Sequence, residues 1–165
     1  MVARAHGVRY HFVMSQAKKV DRRRRQGPAA KHLVAVAKAV GHPARLRILA
    51  MLEGRSLCVC QMTSLLELAS STVSGHLNEL RHSGLVTEDK QGKLVFYRLD
   101  ASSPFAALIA SALALVAGDE SIASDRALVD RVRAVPIDVL TRAGKKLDVV
   151  GIKRPRLSTG RAAGA

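Results

Sequence analysis

Apolar and polar positions repeat along this chain in changing rhythms, and each change marks an element. From Ala29 to Val40, Leu33, Val36, Ala37 and Val40 fall on one helical stripe, and Gly41 closes the run. Pro43 suits the first turn of a second helix, with Leu46, Ile48, Leu49 and Leu52 apolar before Gly54. The stretch LCVCQM then predicts a short helix carrying two thiols. Val73, Leu77 and Leu80 recur at i, i+4 and i+7, while Ser71, Thr72, Ser74 and Asn78 lie off that stripe. One face of this fourth helix is therefore buried and the other presents small polar groups. Ala69 is a poor cap, so Ser70 is the expected one, and Gly84 stands at the C-terminal end after Arg81 and His82, whose charge suits the negative end of the helix dipole. There the period shortens to two. Leu85 and Val86 begin a strand, Gln91-Gly92 make a turn in a polar tip, and Leu94 to Leu99 return with Phe96 and Tyr97.

These shapes predict a mainly α fold with a β-hairpin wing, a winged helix-turn-helix. A helix with a polar face fits the major groove of DNA, which alone is wide enough to admit it and shows a distinct edge pattern for each base pair. The candidate contacts are Ser70, Ser71, Thr72, Ser74, His76 and Asn78 on the helix and Lys90, Lys93 and Arg98 in the wing. Gly75 contributes no side chain and costs about 1 kcal/mol inside a helix, which shifts weight onto the wing. His76 is read as packing and meeting phosphate, without proton chemistry. Arg45 and Arg47 are read as solvated or near phosphate.

Downstream, Phe105, Leu108, Ile109, Leu113, Leu115 and Val116, with many alanines, make a helix apolar nearly all round up to Gly118. It is too short to span a bilayer, and one small domain offers it little cover. A homodimer through Phe105, Leu108, Ile109, Ala112, Leu113 and Val116 is therefore expected. Leu128, Val129 and Val132 predict another amphipathic helix from Asp125 to Val135, ended by Pro136. Beyond it, the Gly, Lys and Arg content suits a mobile tail, whereas Val139, Leu140, Leu147, Val149 and Val150 suit docking on the body; both readings stay open. The expected organisation is a disordered basic arm over 1–28, a DNA-binding and dimerisation domain over 29–118, and a C-terminal helix with a basic tail over 119–165. Met14 offers an alternative start.

The stretches LCVCQM, STVSGHLNELRHSGLV and GKLVFYRL, in that order and spacing, resemble the ArsR/SmtB family of metal-sensing repressors, and HPARLRILAMLEG resembles the family's second helix. Within the family they are most similar to its arsenic-responsive branch, whose signature is a Cys-Val-Cys ahead of the recognition helix. The resemblance implies a dimeric repressor that binds an inverted-repeat operator in double-stranded DNA and releases it when As(III) or Sb(III) is held by Cys58 and Cys60. The family's other metal site, on the helix after the wing, needs Asp and His residues; residues 105–117 contain neither, so zinc sensing there is rejected.

Charge refines this picture. The formal net charge is +14, but residues 1–28 hold eight Lys/Arg against Asp21, and residues 142–165 hold seven against Asp148. The middle of the chain is nearly neutral, so the basicity belongs to the tails, as salt-sensitive phosphate-seeking arms or as solubilising ends. No run of eighteen apolar residues and no signal pattern appears, which predicts a cytoplasmic protein.

Cys58 and Cys60 carry the chemistry. In a helix, residues two apart point in nearly opposite directions, whereas extended backbone puts them on one side, so a shared soft ion favours distorted backbone there. A disulfide across so short a loop would strain the backbone, and a reducing compartment would keep both as thiols. Arsenic-sensing relatives often have a third cysteine where Thr63 stands. Trivalent arsenic prefers three sulfurs, so an exogenous thiol or hydroxide would complete the set; zinc or cadmium would want four ligands, and Glu67 is the nearest downstream carboxylate. Two rivals remain: a repressor of the same fold whose thiols sense oxidants or persulfides, and an architectural protein whose basic arms bind any duplex. No acid–base pair, phosphate loop or nucleophile–base arrangement suggests an enzyme.

Overall fold

The computed structural model describes residues 29–144 and 146–155; the basic arm over 1–28 and the end of the tail lie outside the described residues. Helices α1 (Ala29–Val40), α2 (Pro43–Met51), α3 (Val59–Leu66) and α4 (Ser70–His82) precede a hairpin of β2 (Val86–Gln91) and β3 (Leu94–Leu99), and α5 (Ala106–Leu115), α6 (Glu120–Arg133), α7 (Ile137–Ala143) and a single 3₁₀ turn (Leu147–Val150) follow. A two-residue strand, β1 (Leu57–Cys58), joins the hairpin, so the wing is a three-stranded antiparallel sheet in the order β1-β3-β2. The chain is a winged helix-turn-helix.

The core is aliphatic. Ile48, Leu49, Met51, Leu57, Met62, Leu65, Val73, Leu77 and Leu80 are sealed from solvent at 1% exposure or less. Each buried side chain of this size contributes about 1.5–3 kcal/mol. On α4, Val73, Leu77 and Leu80 are the buried set, as their spacing predicts, and this fixes the helix's rotation. Gly84, at φ +70°, ends α4: its N–H bonds to the Arg81 carbonyl at 2.9 Å and the Leu85 N–H bonds to Leu80 at 3.0 Å. Only a residue at home in left-handed backbone closes a helix this way at no steric cost.

Several expectations change. The wing turn is Gly92-Lys93 instead of Gln91-Gly92, because Gln91 pairs with Leu94 and remains in the ladder. Ser70 does not cap α4; Ala69 occupies that place with no side-chain bond. Helix α6 starts earlier than Asp125, since the Asp119 carboxylate accepts from the Ser121 and Ile122 N–H groups at 2.9 and 3.2 Å and nucleates the first turn. Leu128, Val129 and Val132 of α6 enter the same core as α2 and α3.

The C-terminal segment is docked. Leu140, Leu147 and Ile152 are buried at 1%, 3% and 5% exposure, and α7 lies against α3. The Ser64 hydroxyl donates to the Gly144 carbonyl at 2.6 Å, and Arg154 Nη2 donates to the carbonyls of Leu65, at 2.8 Å, and Ser64. Among the described residues no single helix is long and apolar enough to cross a membrane.

Candidate nucleic-acid interface and thiol site

With Val73, Leu77 and Leu80 turned inward, Ser70, Ser71, Thr72, Ser74 and Asn78 are exposed on the opposite side of α4. These are the residues expected to meet base edges. Asn78 is partly engaged, its Oδ1 accepting from Arg81 Nη2 at 3.0 Å. His76 is half-buried, and its ring packs on that of His42 with centroids 4.5 Å apart. His42 in turn caps α2, its Nδ1 accepting from the Ala44 N–H at 3.1 Å. Burial first, then the neighbouring His42 and Arg45, lowers the His76 pKa below the ordinary 6.5. His76 therefore joins α4 to the start of α2.

In the wing, Lys90, Lys93 and Arg98 are exposed. Arg98 Nε contacts the Thr87 hydroxyl across the strands at 3.3 Å, and neither lysine has an ion-pair partner among the described residues. Arg45 and Arg47, read from sequence as solvated or near phosphate, are part-buried and bonded within the fold. Arg45 donates to the carbonyls of Lys38, at 2.7 Å, and Ala39, closing the end of α1. Arg47 Nε and Nη2 donate to the Asp125 carboxylate at 2.6 and 2.9 Å. Asp125 is fully buried, and its charge is tolerable only because of this fork.

The thiol pair lies where β1 becomes α3. Cys58 is 1% exposed, pairs with Phe96 of the wing, and has extended backbone (φ −86°, ψ 167°) as the N-cap of α3; Cys60 is in that helix's first turn. The expectation of a helix carrying both thiols fails at Cys58, because pairing of Leu57 and Cys58 with Tyr97 and Phe96 pulls the residue into the sheet. The change from strand to helix puts both sulfurs on one side. The structure joins them as a disulfide with a Cα–Cα separation of 5.5 Å. A bridge therefore joins two residues expected to be poor disulfide partners. The Gln61 carboxamide accepts from the Cys58 N–H at 3.0 Å and holds the junction.

Beside the sulfurs a groove of about 610 Å³ runs between α3, α4, the wing and α7. Thr63 lines it, and the Thr63 hydroxyl oxygen is buried with no hydrogen-bond partner among the described residues. An unsatisfied buried hydroxyl costs about 1–3 kcal/mol. Glu67, the nearest downstream carboxylate, forms an ion pair with Arg154 Nε at 3.1 Å. Among the described residues no three His, Cys, Asp or Glu side chains gather into a metal-holding group.

Two side chains expected at a dimer interface are committed elsewhere. Ile109 and Leu113 are 5% and 1% exposed within one protomer and face its own core. Leu108 and Leu115 remain on the outer side of α5 at 47% and 87% exposure. Phe105 meets His32 edge-on at 5.1 Å, joining α5 to α1, which itself exposes Leu33 and Val34 at 48% and 53%. Ala112 and Val116 are half-buried.

Sequence reading missed Asp125 as the partner of Arg47 and Arg154 as the clamp on the helix-turn-helix. The first had a local signal, an Asp on the apolar side of α6 next to Leu128 and Val129; the second had none.

A family model for bacterial regulatory proteins of the arsR family matches residues 42–88, from the cap of α2 into the wing. The arsenic resistance transcriptional regulator ArsR1 of Pseudomonas putida is 41% identical over 61 residues, covering 37% of this chain and 47% of that protein. An uncharacterized HTH-type transcriptional regulator of Methanocaldococcus jannaschii is 44% identical over 61 residues, covering 36% of this chain and 68% of that one. The structure of HlyU from Vibrio cholerae superimposes with a TM-score of 0.50 at 37% identity, covering 55% of this chain and 97% of that one. The chain thus spans about half the length of the first arsenic-resistance relatives it matches, 47% and 54%. Helices α5 to α7 lie beyond the residues that the family model matches.

Proposed function

The chain belongs to the ArsR family of bacterial regulatory proteins, DNA-binding transcriptional regulators, and from that premise we propose that it is a dimeric repressor whose Cys58 and Cys60 bind As(III) or Sb(III) and thereby release operator DNA. The observation that carries this reading is the place of the thiols. Cys58 is laddered to the wing through Phe96, and Cys60 belongs to the helix packed against α4. A change of backbone at this joint reaches both DNA-facing elements at once. In the reduced protein the two sulfurs, already on one side, bind a soft trivalent ion as thiolates, and the start of α3 favours that ionised form. Binding that is tighter in one arrangement of β1 and α3 shifts the protein toward that arrangement.

In this reading the exposed face of α4 enters a major groove and Lys90, Lys93 and Arg98 hold flanking phosphates. The outer sides of α1 and α5, with Leu33, Val34, Leu108 and Leu115, meet those of a second copy. Two recognition helices related by a two-fold axis then read an inverted repeat with half-sites about one helical turn apart. Cytoplasmic placement, where the operator is, goes with this reading.

The bond between Cys58 and Cys60 supports a second reading: a repressor of the same fold switched by oxidants or persulfides at that pair. One titration separates the two. Reduced protein is bound to a fluorescent duplex from upstream of its own coding region and followed by anisotropy. Release by micromolar arsenite, lost in Cys58→Ser, is the expected result; release by peroxide or polysulfide with indifference to arsenite would transfer the function to redox sensing. Equal binding to any duplex, steeply weakened by salt, would make the chain an architectural protein.

A further inference from the structure

The repressor reading places no ligand in the groove beside the thiol pair, and its walls have a definite chemistry. Cys58, Cys60 and Thr63 form its inner side, Ser70 belongs to the recognition helix, Lys93 to the wing turn and Thr141 to α7. The volume of about 610 Å³ falls in the range of small-molecule sites, roughly 300–1,000 Å³. The Thr63 hydroxyl oxygen is buried without a hydrogen-bond partner, and the Lys93 ammonium has no ion-pair partner, among the described residues. A trivalent centre held by Cys58 and Cys60 is one soft donor short, and among the described residues no third Cys, His, Asp or Glu joins them. A third donor supplied from solution would complete the set, and the space and the Lys93 cation lie together where it would enter.

We propose that this groove binds a low-molecular-weight anionic thiol, which supplies the third sulfur of the arsenic site while its carboxylate faces Lys93 and its other polar atoms meet Ser70. The inference rests on the arsenic reading above. The chemistry balances with this one co-reactant. Two molecules of thiol deliver two electrons and two protons to the Cys58–Cys60 bond, giving two protein thiols and one external disulfide. Arsenous acid then exchanges its three hydroxyls for sulfur: three As–O bonds break and three As–S bonds form, to Cys58, Cys60 and the external thiol, and the three thiol protons leave with the hydroxyls as three waters. Because Ser70, Ser74 and Lys93 both line this groove and are assigned to DNA, an occupant covers part of the surface the duplex needs.

The test uses the full chain, reduced with a phosphine and kept anaerobic. Arsenite is titrated with and without glutathione, followed by sulfur-to-arsenic charge-transfer absorbance and native mass spectrometry. Glutathione is expected to tighten arsenite binding about tenfold or more and to yield a mass of one protomer, one arsenic and one glutathione. Thr63→Cys, which places a third protein thiol in the same wall, is expected to bind arsenite as tightly with no glutathione and to exclude it from the complex. Arsenite binding that ignores glutathione, with arsenic alone in the mass, would overturn this proposal and leave the sensor reading standing. Equal enhancement by neutral 2-mercaptoethanol would overturn the role of the carboxylate. Absence of arsenite binding in wild type and in Thr63→Cys under every condition would remove the sensor reading itself.

Discussion

Arg47 and Asp125, separated by 78 residues in sequence, meet through two hydrogen bonds of 2.6 and 2.9 Å that tie α2 to α6. The Asp125 side chain is 1% exposed and that of Arg47 24%, so the pair is only partly sheltered on its cationic side. Bonding to Asp125 raises the Arg47 pKa above its ordinary value. Removing the cation alone strands a buried carboxylate: Arg47→Met is expected to cost about 3–5 kcal/mol. Removing both charges, Arg47→Met with Asp125→Leu, is expected to recover most of that loss. A double-mutant cycle by urea unfolding checks it, and additive losses would show that the charges do not act as a pair.

His76 sets a pH dependence whose sign follows from its surroundings. Burial, with His42 and Arg45 adding to it, lowers its pKa in the folded state below 6.5. The unfolded chain therefore takes up the proton first as pH falls. The contribution to stability is complete above about 6.5 and is lost as pH drops through that value toward the lower folded one. The urea midpoint of wild type should fall more steeply between about pH 7 and pH 5.5 than that of His76→Gln. Asp119, held below 3.8 first by the Ser121 hydroxyl, adds a similar loss only in a more acid window. Parallel curves for the two proteins between pH 7 and pH 5.5 would exclude His76 as the source.

Arg154 acts on the turn of the helix-turn-helix. It bonds the carbonyls of Ser64 and Leu65 at the end of α3 and the carboxylate of Glu67, which has left-handed backbone at φ 58°. The carboxylate is largely solvated, so the two carbonyl bonds carry more of the effect. Arg154→Ala should destabilise by about 1–3 kcal/mol and speed amide exchange in residues 64–69 before the rest of the core. Unchanged exchange there would mean that the segment after α7 merely rests on the body.

The outer side of α5 tests dimerisation. Leu115→Glu and Leu108→Glu replace side chains that are 87% and 47% exposed, so the fold of one protomer should survive while association fails. Sedimentation should report a monomer with unchanged far-ultraviolet circular dichroism. A dimer that persists in the double variant would place the interface elsewhere.

Elements built on local periodicity were readable from residues alone: the Val73, Leu77, Leu80 stripe, the hairpin from Val86 to Leu99, and the first two helices. The junction at Cys58 was not, because a two-residue strand carries no period and exists only by pairing with β3. Arg47 read as a surface cation since nothing near it in sequence announces Asp125. The docking of Leu140, Leu147 and Ile152 was left open because their spacings of seven and five follow no single element; they converge through turns at Gly144 and Gly151, both at positive φ. Among candidate site residues, the α4 set followed from helix geometry, whereas the groove needs four elements that sequence does not show to be neighbours.

The groove has a consequence for how such a switch is set. Its walls include Ser70, Ser74 and Lys93, so in the proposed reading, where these residues also meet the duplex, occupant and duplex would weaken each other by one common factor. A protomer already seated on its operator would then be a poorer detector than one free in solution. In that reading the concentration at which the gene opens would depend on how many free copies are present to capture inducer first, and the threshold of the response would be tuned by the abundance of the protein itself.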